Sequence, residues 1–404
     1  MIEIHQPRFF VSDSEKQKCL AALEKILESG ESGFPKIPHW DSIWIESKQV
    51  GDSLRRRFEN LILLGTGGSS LGTQVIANMR PGTRLRFLEN VDAEAAERAV
   101  YGLDLARTGI LIVSKSGGTG ETLAGTDYLK EVYARAGVSF YERCHVLTES
   151  AGSALGKWAN EKKAALTKIS PEIGGRYSVL SHVGMIPACF DGYDIASFRE
   201  GAALAMGRRE FAAELMAHFL KSFERREWIT FFWFYDPLAR IAGLWLQQLW
   251  AESLGKKKNR QGGPAPRAST PMAGLGTVDQ HSVLQQVIEG PRDKFVVFLR
   301  SDAAETKGPA LTSPDFQDCA VLKGQSMGAL LQVHAIANEQ SLHGEGVSTM
   351  TLKTEVLDER GLGELIMLMQ MIVAGLGAAL DIDPFDQPGV ELGKRLAKEL
   401  LKKA

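Results

Sequence analysis

Residues Ile110 to Thr122, ILIVSKSGGTGET, constrain this chain more than any other stretch. Ile110, Leu111, Ile112 and Val113 form an apolar run without polar alternation, the pattern of a strand buried on both faces. The run passes through Ser114 into a loop made almost wholly of hydroxyls and glycines, and helical spacing resumes from Glu121. Backbone N–H groups freed by glycine at the positive end of a helix make a site for an anion. Ser114, Ser116, Thr119 and Thr122 can add hydroxyls to that site, Gly117 and Gly118 bare backbone, and Lys115 a charge. The same residue types also serve ordinary caps and turns, so the loop alone leaves both a phosphate cradle and a plain strand–helix turn open. No G-x-x-x-x-G-K-[ST] is present and no nearby Asp suggests magnesium, so a phosphate monoester suits the loop better than a nucleoside triphosphate.

The chain around this loop alternates strand and helix patterns. Leu61–Leu64 is an apolar strand that enters the glycine-rich turn Gly65, Gly67, Gly68, with a helix from about Ser70. A dinucleotide fingerprint would need glycine where Ser70 stands, which excludes that cofactor reading. Leu85–Leu88, the Ile110 strand and Cys144–Leu147 follow, separated by helical patterns. After the turn Gly174-Gly175-Arg176, a second run has strands at Trp228–Phe234, Phe295–Leu299 and Val347–Leu352, with Pro237 at the start of a helix. Residues 257–277, with Gly262, Gly263, Pro264 and Pro266, read as one long loop. The expected fold is therefore α/β, two doubly wound domains with mainly parallel sheets flanked by helices. Ligands in such sheets lie at the carboxyl ends of the strands, where both glycine-rich loops fall.

At 404 residues there is chain enough for two or three cores. With 47 Lys+Arg against 49 Asp+Glu, the net charge of −2 argues against a dedicated nucleic-acid or membrane-surface role. The four cysteines, Cys19, Cys144, Cys189 and Cys319, are scattered, which suits a reducing compartment. The N-terminus lacks an export-signal pattern and Leu365–Leu380 is short for a membrane span. A buried helix is expected there, in a cytoplasmic protein.

Six blocks in order, GTGGSSLG, SKSGGTGET, EIGGRYSV, QLWAESLGK, QHSVLQQVIEG and FDQPGVELGKRLAKEL, resemble the glucose-6-phosphate isomerase (phosphoglucose isomerase) family in its short bacterial form. The resemblance implies four parts: an N-terminal helical segment (1–55) packing on the second domain, a smaller first domain (56–195), a larger second domain (196–380), and a C-terminal turn and helix (381–404). It also implies a phosphorylated hexose as substrate, no cofactor or metal, and a homodimer whose active sites draw on both subunits. Carried over by position, Ser114, Lys115, Ser116, Gly117, Gly118, Thr119 and Thr122 would hold the phosphate. Gly68, Ser69 and Gln248 would line the sugar. Glu252 would be the base between C1 and C2, Arg176 would steady the enediolate, and His281 and Lys394 would open the ring.

The chemistry fits these residue types. A carboxylate beside a carbon acid can move a proton, arginine offers a fixed charge for the enediolate oxygen, and histidine titrates where ring opening needs both donor and acceptor. Singly, each has a plainer reading: Arg176 in a surface turn, His281 as a cap, Lys394 on a solvated C-terminal face with Lys398 and Lys402. Leu254 replaces a common family Asn, and Val278-Asp279 replaces a common Asn-Gly turn. A dual enzyme that also takes mannose 6-phosphate, and a non-catalytic sugar-phosphate sensor, are the alternatives.

Overall fold

The computed structural model describes residues 1–236, 239–312 and 321–401, so Pro237 and Cys319 lie outside the described residues. The chain opens with β1 (Glu3–His5), α1 (Asp13–Glu28) and α2 (Asp41–Arg57). A first unit follows with β2 (Asn60–Leu64), α3 (Leu71–Ala77), β3 (Leu85–Leu88), α4 (Ala93–Val100), β4 (Thr108–Val113), α5 (Gly120–Arg135), β5 (Cys144–Thr148), α6 (Ala154–Lys162), β6 (Ala165–Lys168) and α7 (His182–Asp191). Then come α8 (Ile195–Met206), α9 (Arg209–Glu224), β7 (Ile229–Tyr235), α10 (Ala239–Leu254), β8 (Thr270–Leu275), α11 (Leu284–Glu289) and β9 (Lys294–Ser301). The chain ends with α12 (Met327–Gly344), β10 (Ser348–Thr354), α13 (Glu359–Ala379) and α14 (Glu391–Leu401).

The first sheet is wholly parallel, in the order β3-β2-β4-β5-β6. The second runs β10-β9-β7-β8, also parallel, with β1 added antiparallel on the β10 edge. This is the mainly parallel, two-sheet α/β fold that the alternation predicts. In both sheets the first strand of the unit is central and the second lies to one side, so strand order reverses at β2/β4 and again at β7/β9. The apolar runs explain the layering. Every residue of β4 is buried, and β7 places Phe231, Trp233 and Tyr235 on one face and Phe232 and Phe234 on the other, as the period of a strand requires. Phe232 joins Phe219 and Trp250 in the larger core, while Trp233 stacks on Phe298 at 5.9 Å on the opposite side.

The core of the second unit is built around α13. It is long and apolar enough to cross a membrane, yet 89% of its most apolar window is buried inside the protein. It packs against α8, α1, α9 and α10, so the run at Leu365–Leu380 belongs to a central buried helix. The α8–α13 crossing is close because Gly201 carries no side chain: a Cβ there would sit 1.9 Å from the Arg360 carbonyl oxygen.

Two expectations need correction. Residues 1–55 do not pack as one block on the second unit. β1 and α1 do, but α2 lies on α7, where Leu54 and Phe58 share a core with Leu61, Leu63, Val183 and Phe190 of the first unit. Residues 257–277 are not a single loop either, since β8 occupies Thr270–Leu275. Its sequence TPMAGL looks unlike a strand, but Pro is tolerated at an edge. Gly274 lies under the Phe231 ring, where a Cβ would be 2.5 Å from its carbons.

Gly201→Val is expected to lower unfolding free energy by about 1–3 kcal/mol, the range for overpacking a filled interior. Urea denaturation checks this, and an unchanged midpoint at constant slope would mean the α8–α13 crossing can spread freely.

Candidate active site

The reversal at β2/β4 sets the Gly65–Ser70 turn beside the Ser114–Thr119 loop, because Leu64 pairs with Ile112. Crevices at such reversals are where open parallel sheets hold ligands. In the second loop Ser114 Oγ and Thr119 Oγ1 are 2.9 Å apart, and Gly118 N–H donates to Ser116 Oγ at 3.3 Å. Gly117 takes φ +63°, and a Cβ there would strike Ser153 Oγ at 2.2 Å, so only glycine fits. Thr119 precedes α5 without a side-chain cap, leaving first-turn N–H groups aimed at the crevice. Thr122 is buried, and its Oγ1 has no partner among the described protein atoms. These features support an anion cradle over a plain turn. Lys115 points elsewhere: its Nζ donates to the Pro171 carbonyl at 2.7 Å. Burial pushes its ammonium pKa downward, with Glu149 opposing, so Lys115 ties two loops together.

The Gly65–Ser70 turn meets the Gly174-Gly175-Arg176 turn backbone to backbone. A Cβ on Gly68 would lie 2.3 Å from Gly175 C and 2.6 Å from Arg176 N, and Ser178 Oγ links the turns by donating to the Gly175 and Gly68 carbonyls at 2.7 and 3.3 Å. Ser69 lies within the same short 3₁₀ turn, Gly67–Ser69. The plainer reading of Arg176, a solvated turn residue, does not hold, because it is buried. Its Nε donates to Ser253 Oγ at 2.7 Å, Nη1 to Gln387 Oε1 at 2.8 Å, and Nη2 to the Asp386 and Pro384 carbonyls. Nη1 also lies 3.4 Å from Glu252 Oε2.

Glu252 sits in the last turn of α10, and Gln248 is one turn earlier. Gln248 Nε2 donates to Glu252 Oε1 at 3.1 Å, and its buried Oε1 has no partner among the described protein atoms. The opposite face of α10 fixes the helix, since Trp245, Leu249 and Trp250 are in the core and Trp250 Nε1 donates to Ser269. Arg176, Gln248 and Glu252 therefore converge, with the Glu252 side chain one-third exposed.

His281 lines a different cavity from Glu252, and Lys394 follows Leu392, which shares a cavity with Glu252 and Gln387. His281 ends an exposed 3₁₀ turn, Val278–His281, and lines a cavity of about 640 Å³ with Thr277, Lys307, Met327 and His334. Asp279 holds that turn by accepting from Leu275 N–H and Ser282 Oγ, both at 2.7 Å, a role the common Asn-Gly would not fill. Lys394 is on α14, whose described side chains are exposed.

The family model of phosphoglucose isomerase matches residues 45–404. The chain belongs to that family. It is 32% identical to a glucose-6-phosphate isomerase of Rubrobacter xylanophilus over 400 residues, 93% of this chain and 90% of the relative. A hypothetical protein from Thermus thermophilus superposes with a TM-score of 0.88 at 28% identity, covering 99% of this chain and 100% of the other. A glucose-6-phosphate isomerase from Chlamydia trachomatis gives a TM-score of 0.76 at 24% identity over 98% of this chain and 80% of that one, a likeness of fold. For a phosphoglucose isomerase fold, sequence reasoning omitted two side chains that bond Arg176, those of Ser253 and Gln387. Gln387 touches Arg176, and its only signal was its place in the FDQPG turn.

Replacing Thr122 by the isosteric Val removes a buried hydroxyl that no described protein atom uses. Stability is expected to stay within about 1 kcal/mol of the native chain or rise slightly, while affinity for a phosphosugar falls. Thermal unfolding and calorimetric titration with fructose 6-phosphate check both halves, and unchanged affinity would remove Thr122 from the cradle.

Proposed function

We propose that this chain reversibly interconverts D-glucose 6-phosphate and D-fructose 6-phosphate, a step shared by glycolysis and gluconeogenesis. The isomerisation runs by ring opening and proton transfer through a cis-enediolate. The observation that carries the reading is the Arg176–Glu252 approach at 3.4 Å, with Gln248 bonded to the other Glu252 oxygen, beside the turns at the reversal that also bears the hydroxyl loop. The names of relatives with the same full-length fold point to the same reaction.

The geometry supports a division of labour. The phosphate rests on Ser114, Ser116, Gly117, Gly118, Thr119 and Thr122 at the start of α5, and this remote contact holds the reacting carbons in place. Gly68, Ser69 and Gln248 line the sugar, Gln248 offering its unpartnered oxygen to a hydroxyl. After the ring opens, Glu252 takes the proton from one of C1 and C2 and returns it to the other, so the carboxylate ends the cycle unchanged. Negative charge on the enediolate oxygen meets Arg176, which keeps its proton and is already oriented by Ser253, Gln387 and two carbonyls. Preorganisation matters more here than strength, since no dipole has to turn when the charge appears.

Ring opening falls to His281 and Lys394. His281 belongs to an exposed turn beside apolar side chains that are themselves exposed, Val278, Met327 and Val333. An exposed apolar face next to a histidine supports a homodimer in which His281 serves the neighbouring subunit. The cytoplasm is the proposed location, where a phosphorylated hexose is made and used.

Glu252→Gln keeps the shape and the Gln248 contact but removes the base. Turnover of fructose 6-phosphate is expected to fall by about 10²–10⁴-fold, the contribution of one positioned acid or base, with phosphosugar binding nearly intact. Equal loss of turnover and binding, followed by coupled assay and calorimetry, would sink the role of Glu252. Mixing inactive Glu252→Ala and His281→Ala chains should recover part of the activity, because half the mixed sites hold both native residues. No recovery in verified mixed dimers would mean each subunit supplies its own histidine.

A further inference from the structure

Glu252 also lines a cavity of about 810 Å³ between the 255–260 segment and the 383–392 segment, none of whose lining residues belongs to the hydroxyl loop. It is walled by four consecutive or near-consecutive cations, Lys256, Lys257, Lys258 and Arg260. Two of these are neutralised within the protein. Lys256 Nζ is 2.6 Å from Asp386, and Arg260 forms a two-point contact with Glu31 at 3.1 and 2.7 Å. The carboxylates on the wall are engaged as well, Glu252 with Arg176 and Asp383 with the Phe385 N–H at 2.8 Å. Lys257 and Lys258 are exposed and have no carboxylate partner among the described residues, so they are the unbalanced charge of this cavity.

The segment bearing them is held in place. Lys258 bridges to Pro264, Asn259 N–H donates to the Gly263 carbonyl at 2.9 Å, Ala265 N–H to the Lys257 carbonyl at 3.1 Å, and Arg260 N–H to the Asp381 carbonyl at 2.7 Å. Between the two free lysines and the paired arginine, Asn259 lines the cavity with a buried Oδ1 that has no partner among the described protein atoms. Two fixed cations and an unused amide oxygen, in a space larger than the cluster needs, make a place for an anion that also carries hydroxyls.

We infer that this cavity is a second anion subsite, which takes the far anionic group of a hexose charged at both ends. The inference rests on the isomerase reading: with the 6-phosphate in the hydroxyl loop, Glu252 stands at C1 and C2, so a group attached to C1 projects past Glu252 toward Lys257 and Lys258. A sugar with one phosphate leaves the subsite empty. A sugar bisphosphate spans both and blocks turnover without reacting.

The full chain is first assayed for fructose 6-phosphate turnover, which decides the isomerase reading alone. Calorimetry then compares fructose 1,6-bisphosphate with fructose 6-phosphate on the native chain and on Lys257→Ala/Lys258→Ala. The double variant is expected to weaken bisphosphate binding about ten-fold, the scale of two partly screened ion pairs, and more steeply at low salt. Binding and turnover of fructose 6-phosphate should stay within about two-fold, because its one phosphate sits in the hydroxyl loop and these exposed lysines meet no second anion. Lys257→Arg/Lys258→Arg should keep the bisphosphate affinity. Equal weakening of both sugars, no weakening of the bisphosphate, or no bisphosphate binding by the native chain each overturns the subsite. If turnover is absent while the lysine dependence holds, the isomerase reading falls and the subsite stands.

Discussion

The Arg176 guanidinium is almost wholly removed from water, its side chain 2% exposed, and the structure around the cluster depends on how its donors are used. Taking such a cation out of water costs several kcal/mol unless its fixed fork of N–H groups is fully matched. Here the matching groups come from two distant parts of the chain, Glu252 and Ser253 at the end of α10 and the Pro384–Gln387 turn, while the arginine itself stands on the glycine turn of the first unit. The ion is therefore also a tie between the first unit, the second unit and the C-terminal segment. Phe34, Tyr177 and Phe385 seal the tie, with Phe34 and Tyr177 stacked at 4.9 Å and Tyr177 and Phe385 edge-on at 5.3 Å. A lysine could supply the charge but could not reach all of these partners at once.

The two sheets reverse strand order in the same way, yet only one reversal carries a hydroxyl loop. The difference lies in the residues just past the two strands that flank each reversal. After β4 the chain turns through small residues into an uncapped helix start. After β7 it meets Asp236, a buried carboxyl group that accepts from Ser301 Oγ at 2.8 Å across the reversal. An acidic group at that point disfavours a phosphate, and the space beside it is only about 30 Å³. The second unit contributes α10 instead, a helix that leaves that sheet and lays Gln248 and Glu252 against the first unit's turns. One unit carries the hydroxyl loop and the other brings Gln248 and Glu252.

Legibility from sequence depends on how local each cause is. β2, β4, β5, β7 and β9 announced themselves because mainly apolar runs buried on both faces are written in consecutive residues, while β3, with Arg86, and β10, with three threonines, were placed by their position in the strand–helix alternation. β1 is three residues at an antiparallel edge, and β6 is short. β8 contains Pro271 and Gly274, so all three depend on a neighbouring strand rather than on their own composition. In the site, glycines and hydroxyls at strand ends were readable as a ligand loop, and Glu252 and Gln248 as one face of a helix. That Lys115 would brace Pro171 rather than face the cradle could not be read, because the partner is a carbonyl 56 residues away. Gln387 was hidden for the same reason: its partner is Arg176, 211 residues earlier.

His281 and Lys394, the groups proposed to open the ring, share a physical setting. His281 is beside the exposed Val278, Met327 and Val333, and Lys394 is on a helix that exposes Leu392, Leu396, Leu400 and Leu401. Scattered surface apolar residues need no cause, but two such faces, each next to a residue of the proposed site, invite one. Apolar surface left in water forgoes about 25 cal/mol for each Å² that could be covered. Covering these faces would draw both elements against something solid and so help to fix their positions. Thr277, held at φ +35° just before the His281 turn, is consistent with this, since a β-branched residue there is unfavourable in the chain alone. In the proposed mechanism Glu252 and the Arg176 guanidinium are positioned by folding of the single chain, whereas the proposed homodimer would complete the surroundings of His281 and Lys394.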